Sequence, residues 1–305
     1  MSKKGYILAG RSVLNMIIQM FNLWYFFWLI LGIGLVAGLY YLLRNTSTKT
    51  KKAVLFSLLA LGFVLHFLKA YIPPYSTDQA RWYRDSWFSN ICAANIALFP
   101  FMFFSKKNTM KDYMFYVGIL SGVLAYVYPQ EPLAKADQLA DQLDIVRFYY
   151  HHWMLAAVPL LMVMLGIHKV SYKRIWVAPV GMLLLMLFII LNQIFQSELG
   201  FVPLRDNQDF FGIGYKNSSY IWGPGTNDAI GNFFAMFTPK FFKTVPAGEF
   251  AGQEKYWPWF WMIVPVFVLM LPLSFGLSMI FDRKNFCADV RKLKQRFTKE
   301  KTNVV

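Results

Sequence analysis

Charged residues are scarce in this chain, and that scarcity is the first constraint on its fold. Only 15% of its 305 residues are Asp, Glu, Lys or Arg, whereas 57% are hydrophobic and 19% are aromatic. A soluble domain has about 25% charged and about 45–50% apolar residues. The surplus apolar residues stand in continuous runs without alternation, which excludes a transmembrane β-barrel as well as a soluble globular domain. The composition therefore predicts an all-α integral membrane protein.

Cysteines and metal-binding motifs are also sparse. The two cysteines, Cys92 and Cys287, fall on opposite sides of the membrane in the topology derived below, so we expect no disulfide. The sequence has no His-x-x-x-His or His-Glu-x-x-His spacing, no Gly-x-Ser-x-Gly elbow and no phosphate-binding glycine loop. We therefore predict neither a metal site nor a cofactor. The weaker metal alternative would use His66, His151, His152 and Asp144.

Seven apolar stretches reach or approach the roughly 20 residues that a helix needs to cross a bilayer. They predict a transmembrane domain of about seven helices over residues 24–281. Upstream, polar residues recur at helical spacing, which predicts an interfacial amphipathic helix over residues 1–23. The stretches are residues 24–43, 53–72, 88–104, 113–128, 153–167, 175–195 and 257–281.

The net charge of +15 is concentrated in alternate loops and in the C-terminal tail. Loops rich in Lys and Arg stay on the cytoplasmic side, so we predict the N-terminus outside and the C-terminus inside. Residues 196–256 then form a long outer connection, which we expect to cap the outer face. Residues 282–305 form a basic cytoplasmic tail, expected to lie as an amphipathic helix on anionic lipid or else to be merely solvated. No nucleic-acid partner is expected.

Polar side chains gather near the predicted outer ends of the spans, and the sequence shows no comparable set at the inner ends. Ser89, Cys92 and Asn95 recur at steps of three, which places them on one helix face. His151 and His152 open the fifth apolar stretch. An unpaired polar group in hydrocarbon costs kilocalories, so these residues indicate either a site or hydrogen bonding between helices. For the two histidines, anchoring at the interface is the alternative.

This set can be combined into one chemical hypothesis. His152 acts as a base, and Cys92 or Ser89 acts as the nucleophile toward an acyl carbonyl. Asn90 and Asn95 polarise the carbonyl, and Arg81 and Arg84 suit a lipid phosphate. Further candidate substrate-binding residues are His151, Asn192 and Gln193.

The chain also resembles YwaF-type integral membrane proteins, whose relatives include membrane phospholipid acyltransferases. The likeness is spread over residues 24–281 and rests on HHWMLAAVP at 151–159 and on NSSY at 217–220. It implies about seven spans, acyl transfer, and Asn217 and Tyr220 as site residues. Where that family has a Leu-Pro-x-His pattern, this chain has WFSN at 87–90, so Asn90 replaces the expected histidine. The reactive cysteine of the acyltransferase relatives aligns nearer Ser89 than Cys92.

The sequence therefore predicts a multi-pass protein of the cell membrane that acts on phospholipids. The favoured function is an acyltransferase or acyl hydrolase with a Cys/Ser–His site at the outer surface. A non-enzymatic transporter or lipid-binding protein is the alternative, and an assembly partner is the third possibility.

Overall fold

The structure is a computed structural model, and it describes residues 16–72, 75–77, 88, 90–134, 142–199, 219–224, 228–245, 247–249 and 251–302. Within these residues the secondary structure is helical, and β pairing is limited to one isolated bridge between Thr244 and Glu254. The all-α prediction is confirmed. The helices are α1 Leu23–Leu43, α2 Thr48–Leu68, α3 Ile91–Phe104, α4 Asn108–Val127, α5 Gln130–Ala134, α6 Gln142–Met164, α7 Val177–Glu198, α8 Ala229–Ala235 and α9 Ile263–Thr302.

Polar residues at the N-caps set where several of these helices begin. The side chain of Asn22 accepts a hydrogen bond from the Tyr25 amide, and Asn90 does the same for Ala93. Such a cap satisfies a backbone N–H group that the first helical turn leaves without a partner. Residues 16–22, which end with this Asn22 cap, are not helical. Residues 1–15 of the predicted interfacial helix lie outside the described residues.

Four helical segments are long and apolar enough to cross a membrane by length and composition: Leu23–Leu43, Thr48–Tyr71, Tyr172–Gln196 and Phe260–Arg296. Helix α3 is a shorter apolar helix. Helices α4 and α6 have 20 and 23 residues but carry polar residues in their first turns. A membrane-type helical fold is therefore supported, whereas the seven-span count and the orientation remain predictions.

Helix α6 lies at the centre of the bundle, in contact with α1, α2, α3 and α4. The indole of Trp28 on α1 stacks on Tyr149 at 4.5 Å, and Trp153 donates a hydrogen bond to the Gly32 carbonyl at 3.0 Å. Because the later residue of α1 contacts the later residue of α6, the two helices run parallel.

Helix α2 runs antiparallel to α6. At one end the rings of His66 and His151 lie 6.3 Å apart, and at the other Lys51 reaches the Leu165 carbonyl at 3.5 Å. Relative directions of this kind are those expected when successive helices cross a membrane in alternation.

The long connection before α9 packs onto the bundle where it is described. Its Ser219 hydroxyl accepts a hydrogen bond from the Ile91 amide at 3.1 Å, at the start of α3. Trp261 donates to the Tyr220 carbonyl at 2.7 Å, and Trp259 donates to the Leu183 carbonyl at 2.9 Å. Residues 200–218 of the predicted cap lie outside the described residues.

The end of the bundle opposite to the histidine pair holds a buried ionic group, which corrects the expectation of no comparable polar set there. Asp112 in the first turns of α4 is fully buried. One carboxylate oxygen lies 2.8 Å from His168 Nε2, and the other accepts from Arg174. The sequence did not reveal this group because its members are far apart in the chain.

The close packing of α4 on α6 depends on two glycines. A Cβ atom added at Gly122 would lie 2.5 Å from the His152 carbonyl oxygen and 2.7 Å from the Ala156 Cβ. At Gly118 an added Cβ would clash with the Leu155 carbonyl oxygen. Because these neighbours are mainly backbone atoms, only a shift of one helix could relieve the overlap.

We therefore expect Gly122→Ala to lower the thermal unfolding temperature of the detergent-solubilised protein. Overpacking of this kind costs about 1–3 kcal/mol. Gly34→Ala and Gly38→Ala are matched controls, because a Cβ at either glycine meets nothing within 4 Å. Equal unfolding temperatures for Gly122→Ala and these controls would contradict the packing described for α4 and α6.

Candidate functional site

The two adjacent histidines of α6 have different hydrogen-bond partners. His152 Nδ1 lies 2.8 Å from the Phe148 carbonyl oxygen, one turn earlier. A carbonyl oxygen only accepts, so Nδ1 carries the proton, and Nε2 of the neutral ring carries the lone pair. The His152 ring is buried and packs on the Phe148 ring at 4.1 Å. This is the tautomer that a general base requires.

His151 is held by both ring nitrogens. Nδ1 lies 3.1 Å from Arg147 Nη1, and because a guanidinium only donates, Nδ1 is the acceptor. Nε2 then carries the proton and donates to the Gly62 carbonyl oxygen at 3.1 Å. His151 therefore joins α6 to α2, and it has no ring nitrogen left for substrate while these bonds persist.

A buried polar cluster extends from His151 toward the start of α6. Arg147 Nη2 lies 2.5 Å from the Asp144 carboxylate, and the Tyr75 hydroxyl lies 3.2 Å from both Asp144 Oδ2 and Arg147 Nη2. The ammonium of Lys69 sits over the Tyr75 ring, 5.2 Å from its centroid. Sequence analysis missed this cluster, although the spacing of Asp144, Arg147 and His151 along one helix face was an available signal.

The first turns of α3 carry the predicted thiol and amides. Asn90 Oδ1 accepts from the Ala93 amide at 2.7 Å, so this atom is used for capping. Cys92 is half-buried and forms no disulfide with Cys287, and it lies close enough to Tyr113 to interact with it electrostatically. Asn95 is fully buried; its Oδ1 accepts from the Tyr113 hydroxyl at 2.9 Å, and its Nδ2 has no hydrogen-bond partner among the described residues.

Three amide side chains near the end of α7 also hold buried atoms to which none of the described residues is hydrogen-bonded. They are Asn192 Nδ2, Gln193 Oε1 and Gln196 Nε2. Gln193 and Gln196 expose only 7% and 4% of their surface. Buried polar groups are nearly always paired in native proteins, so such a group calls for an explanation, and an absent polar ligand is one.

Helices α3, α6 and α7 are packed side by side: α3 contacts both α6 and α7. The Phe88 ring, just before α3, lies 6.5 Å from His66 and 6.0 Å from Phe188 on α7. Cys92, His152 and the α7 amides therefore sit on neighbouring helices at one end of the bundle.

Several predicted site residues lie elsewhere or are not described. Tyr220 belongs to the outer connection, where its ring packs on Phe234 at 5.5 Å, and burial raises its pKa, with a contribution from Asp228. The described residues contain no group of three or more potential metal ligands. Ser89, Arg81, Arg84 and Asn217 lie outside the described residues.

Comparison with known proteins gives a family but no activity. The model of the TMEM164 family matches residues 18–275, which is most of the chain. Searches of curated proteins and of solved structures find no match. The family match supports a membrane protein, but it supplies neither the YwaF-type assignment nor acyltransferase relatives, so both stay predictions.

The bonds of His151 predict that it is a structural residue. His151→Leu removes one hydrogen bond from the Gly62 carbonyl and one from Arg147, and the loss of a hydrogen bond costs about 0.5–1.5 kcal/mol. We expect a lower thermal unfolding temperature for His151→Leu. His151→Gln, which both donates and accepts, should retain more of the stability. If the two variants unfold at the same temperature, the hydrogen bonds of His151 do not support the bundle.

Proposed function

The chain belongs to the TMEM164 family. From the geometry of the candidate site we propose that it is a membrane-embedded acyltransferase that carries acyl groups of phospholipids on Cys92. The observation that carries this proposal is the tautomer of His152. Its Nδ1 proton is held by the Phe148 carbonyl at 2.8 Å, which leaves Nε2 as the basic nitrogen on a helix that packs against the thiol-bearing helix α3.

The position of Cys92 supports its assignment as nucleophile. It stands in the first turn of α3, two residues after the N-cap Asn90. The positive end of a helix dipole stabilises an anion there, which favours the thiolate form. A half-buried thiol at this place is also accessible to a substrate, unlike a cysteine within a packed core.

The reaction follows from these two groups. The Cys92 sulfur attacks the ester carbonyl of a phospholipid while His152 Nε2 accepts the thiol proton. The C–O bond of the ester breaks, the departing lysophospholipid alkoxide takes that proton from His152 and becomes a hydroxyl, and the acyl group remains as a thioester on Cys92. The hydroxyl of a second lysophospholipid then loses its proton to His152 and attacks the thioester carbonyl. The C–S bond breaks, and the Cys92 thiolate takes the proton back from His152, which restores the thiol. Attack by water instead gives acyl hydrolysis.

The unpaired amides supply a reason for acyl esters as the ligand. An ester or phosphodiester group presents oxygen acceptors, and Asn95, Asn192 and Gln196 each have a buried amide nitrogen without a partner in the described part of the chain. A donor aimed at the carbonyl oxygen would stabilise the negative charge that develops there during attack. In this proposal the amides bind and polarise the ester group of the lipid, while Arg81, Arg84, Asn217 and Tyr220 remain candidates for other parts of the lipid.

The proposed setting is a multi-pass protein of the cell membrane with seven spans, the N-terminus outside and the site near the outer surface. The alternating directions of α1, α2 and α6 and the apolar lengths of four helical segments support it.

The decisive experiment uses purified protein in phospholipid vesicles with an isotopically labelled lysophospholipid acceptor. We expect the wild type to form labelled diacyl phospholipid and to carry an acyl group on Cys92, detectable by mass spectrometry. His152→Ala and Cys92→Ala should each lose at least about 100-fold in transfer rate, the scale of general-base catalysis. Cys287→Ala is the matched control and should keep the wild-type rate.

The outcomes separate the alternatives. A thioester is cleaved by neutral hydroxylamine, whereas an oxygen ester on Ser89 is not. Wild-type transfer rates in both His152→Ala and Cys92→Ala would overturn the proposal. Lipid that binds stoichiometrically but never turns over would instead identify a lipid-binding protein or transporter.

A further inference from the structure

We infer that the basic C-terminal part of α9 binds the anionic phospholipid surface at the end of the bundle opposite to the site. Helix α9 is continuous from Ile263 to Thr302. Its first half is apolar, and its second half carries most of the basic residues of the tail. The question is whether the second half projects away from the membrane or lies along it.

The geometry of two phenylalanine rings indicates that α9 bends. In a straight α-helix, Phe275 and Phe286 would lie about 16 Å apart along the axis. Their ring centroids are only 5.4 Å apart, which is closer than the two side chains could come along a straight axis. The helix axis therefore bends between these residues, toward the side on which the two rings lie.

A hydrogen bond within α9 accompanies this bend. The Ser278 hydroxyl donates to the Phe275 carbonyl oxygen at 2.7 Å. Such a bond competes with the backbone ladder and favours bending of a helix. Gly276, in the same turn, adds no side chain that would oppose it.

The second half is also fixed to the body of the protein just after the bend. The Tyr172 amide donates to Asp282 Oδ2 at 2.9 Å, and the Tyr172 hydroxyl donates to Asp289 Oδ2 at 2.7 Å. Lys173 pairs with the same Asp289 carboxylate at 2.5 Å. The Phe286 ring packs on Tyr172 at 5.2 Å. These contacts define which face of the second half points toward the membrane-embedded part.

Beside the two aspartates, the face that contains Phe286 continues with apolar residues. Val290 and Leu293 follow at the spacing that places all three on one side of the helix. Since Phe286 contacts Phe275 of the apolar half, this side is turned toward the apolar half of α9 and not away from it. Val290 and Leu293 are 36% and 53% exposed, so the described residues leave much of the surface of both side chains accessible.

Basic side chains occupy the flanks and the opposite face. Arg283, Lys284, Arg291, Lys292, Lys294 and Arg296 are all exposed. An apolar stripe with basic flanks is the pattern of helices that lie in a membrane interface, and each Lys or Arg near an anionic surface contributes about 1 kcal/mol. A second copy of this helix would be repelled because both copies are positively charged. The positive charges therefore favour an anionic lipid surface as the binding partner of this helix.

The test uses the full chain with Cys92→Ser, labelled at Cys287 with an environment-sensitive fluorophore and reconstituted into vesicles. Cys287 lies beside the apolar stripe and is half-buried. We expect a blue shift of emission in vesicles of phosphatidylcholine with phosphatidylserine, relative to phosphatidylcholine alone. Raising the salt from 0.1 M to 1 M shortens the screening length from about 10 Å to about 3 Å and should reduce the shift.

Leu293→Glu should abolish the shift, because it places a carboxylate on the lipid-facing stripe. Ala288→Glu is the matched control: it introduces the same charge at an exposed position away from the stripe and should keep the shift. Equal thermal unfolding temperatures for the two variants would exclude misfolding. Identical spectra in both lipid mixtures, or the same response from Leu293→Glu and Ala288→Glu, would overturn the inference. A tail that binds only an acidic protein would give identical spectra in the two lipid mixtures.

Discussion

The burial of α6 on nearly all sides is the constraint on which the rest of the structure depends. A helix surrounded by other helices must satisfy its polar groups within the protein, because water does not reach them. Here α6 carries two histidines, an arginine and an aspartate in its first half, and all of these are largely buried. Glycines on the facing helices allow the backbones to come close, and backbone carbonyls of α2 and of α6 itself then become hydrogen-bond partners for the imidazoles.

The two histidines of α6 therefore have different roles. Both ring nitrogens of His151 form hydrogen bonds, one with Arg147 and one with the Gly62 carbonyl, so His151 fixes the position of α6 against α2. His152 donates its Nδ1 proton to the Phe148 carbonyl. Adjacent residues of one type thus differ in chemical capacity because they face different neighbours. The amides of α7 are informative for the same reason: they are buried like the other polar groups, but each has a polar atom without a hydrogen-bond partner among the described residues.

The sequence predicted the helices well wherever an apolar run defines them, and less well elsewhere. The first predicted stretch, 24–43, matches Leu23–Leu43 within one residue. The fifth predicted stretch began at residue 153, whereas α6 begins at Gln142. The first turns of α6 contain charged residues that pair only in the folded protein, so a count of apolar residues does not include them. The same reason explains why the Asp112–His168–Arg174 group and the Tyr75–Asp144–Arg147 cluster were missed. The sequence also did not reveal that Asn90 caps α3, since a cap depends on local backbone geometry and not on a run of apolar residues.

Residue type and expected depth indicated a candidate site with the histidine pair, the thiol and the amides at one end of the bundle, and that these residues act together stays a prediction. The sequence did not indicate which of the two histidines forms hydrogen bonds through both ring nitrogens. The direct test of the account is an experimental structure with a bound non-hydrolysable phospholipid analogue. The account predicts the carbonyl carbon of its acyl linkage within about 3–3.5 Å of Cys92 Sγ, the separation of a near-attack geometry, with His152 Nε2 facing the same sulfur and an amide of Asn95 or α7 on the carbonyl oxygen. An acyl linkage bound far from Cys92, or a His152 ring turned toward bulk lipid, would contradict it.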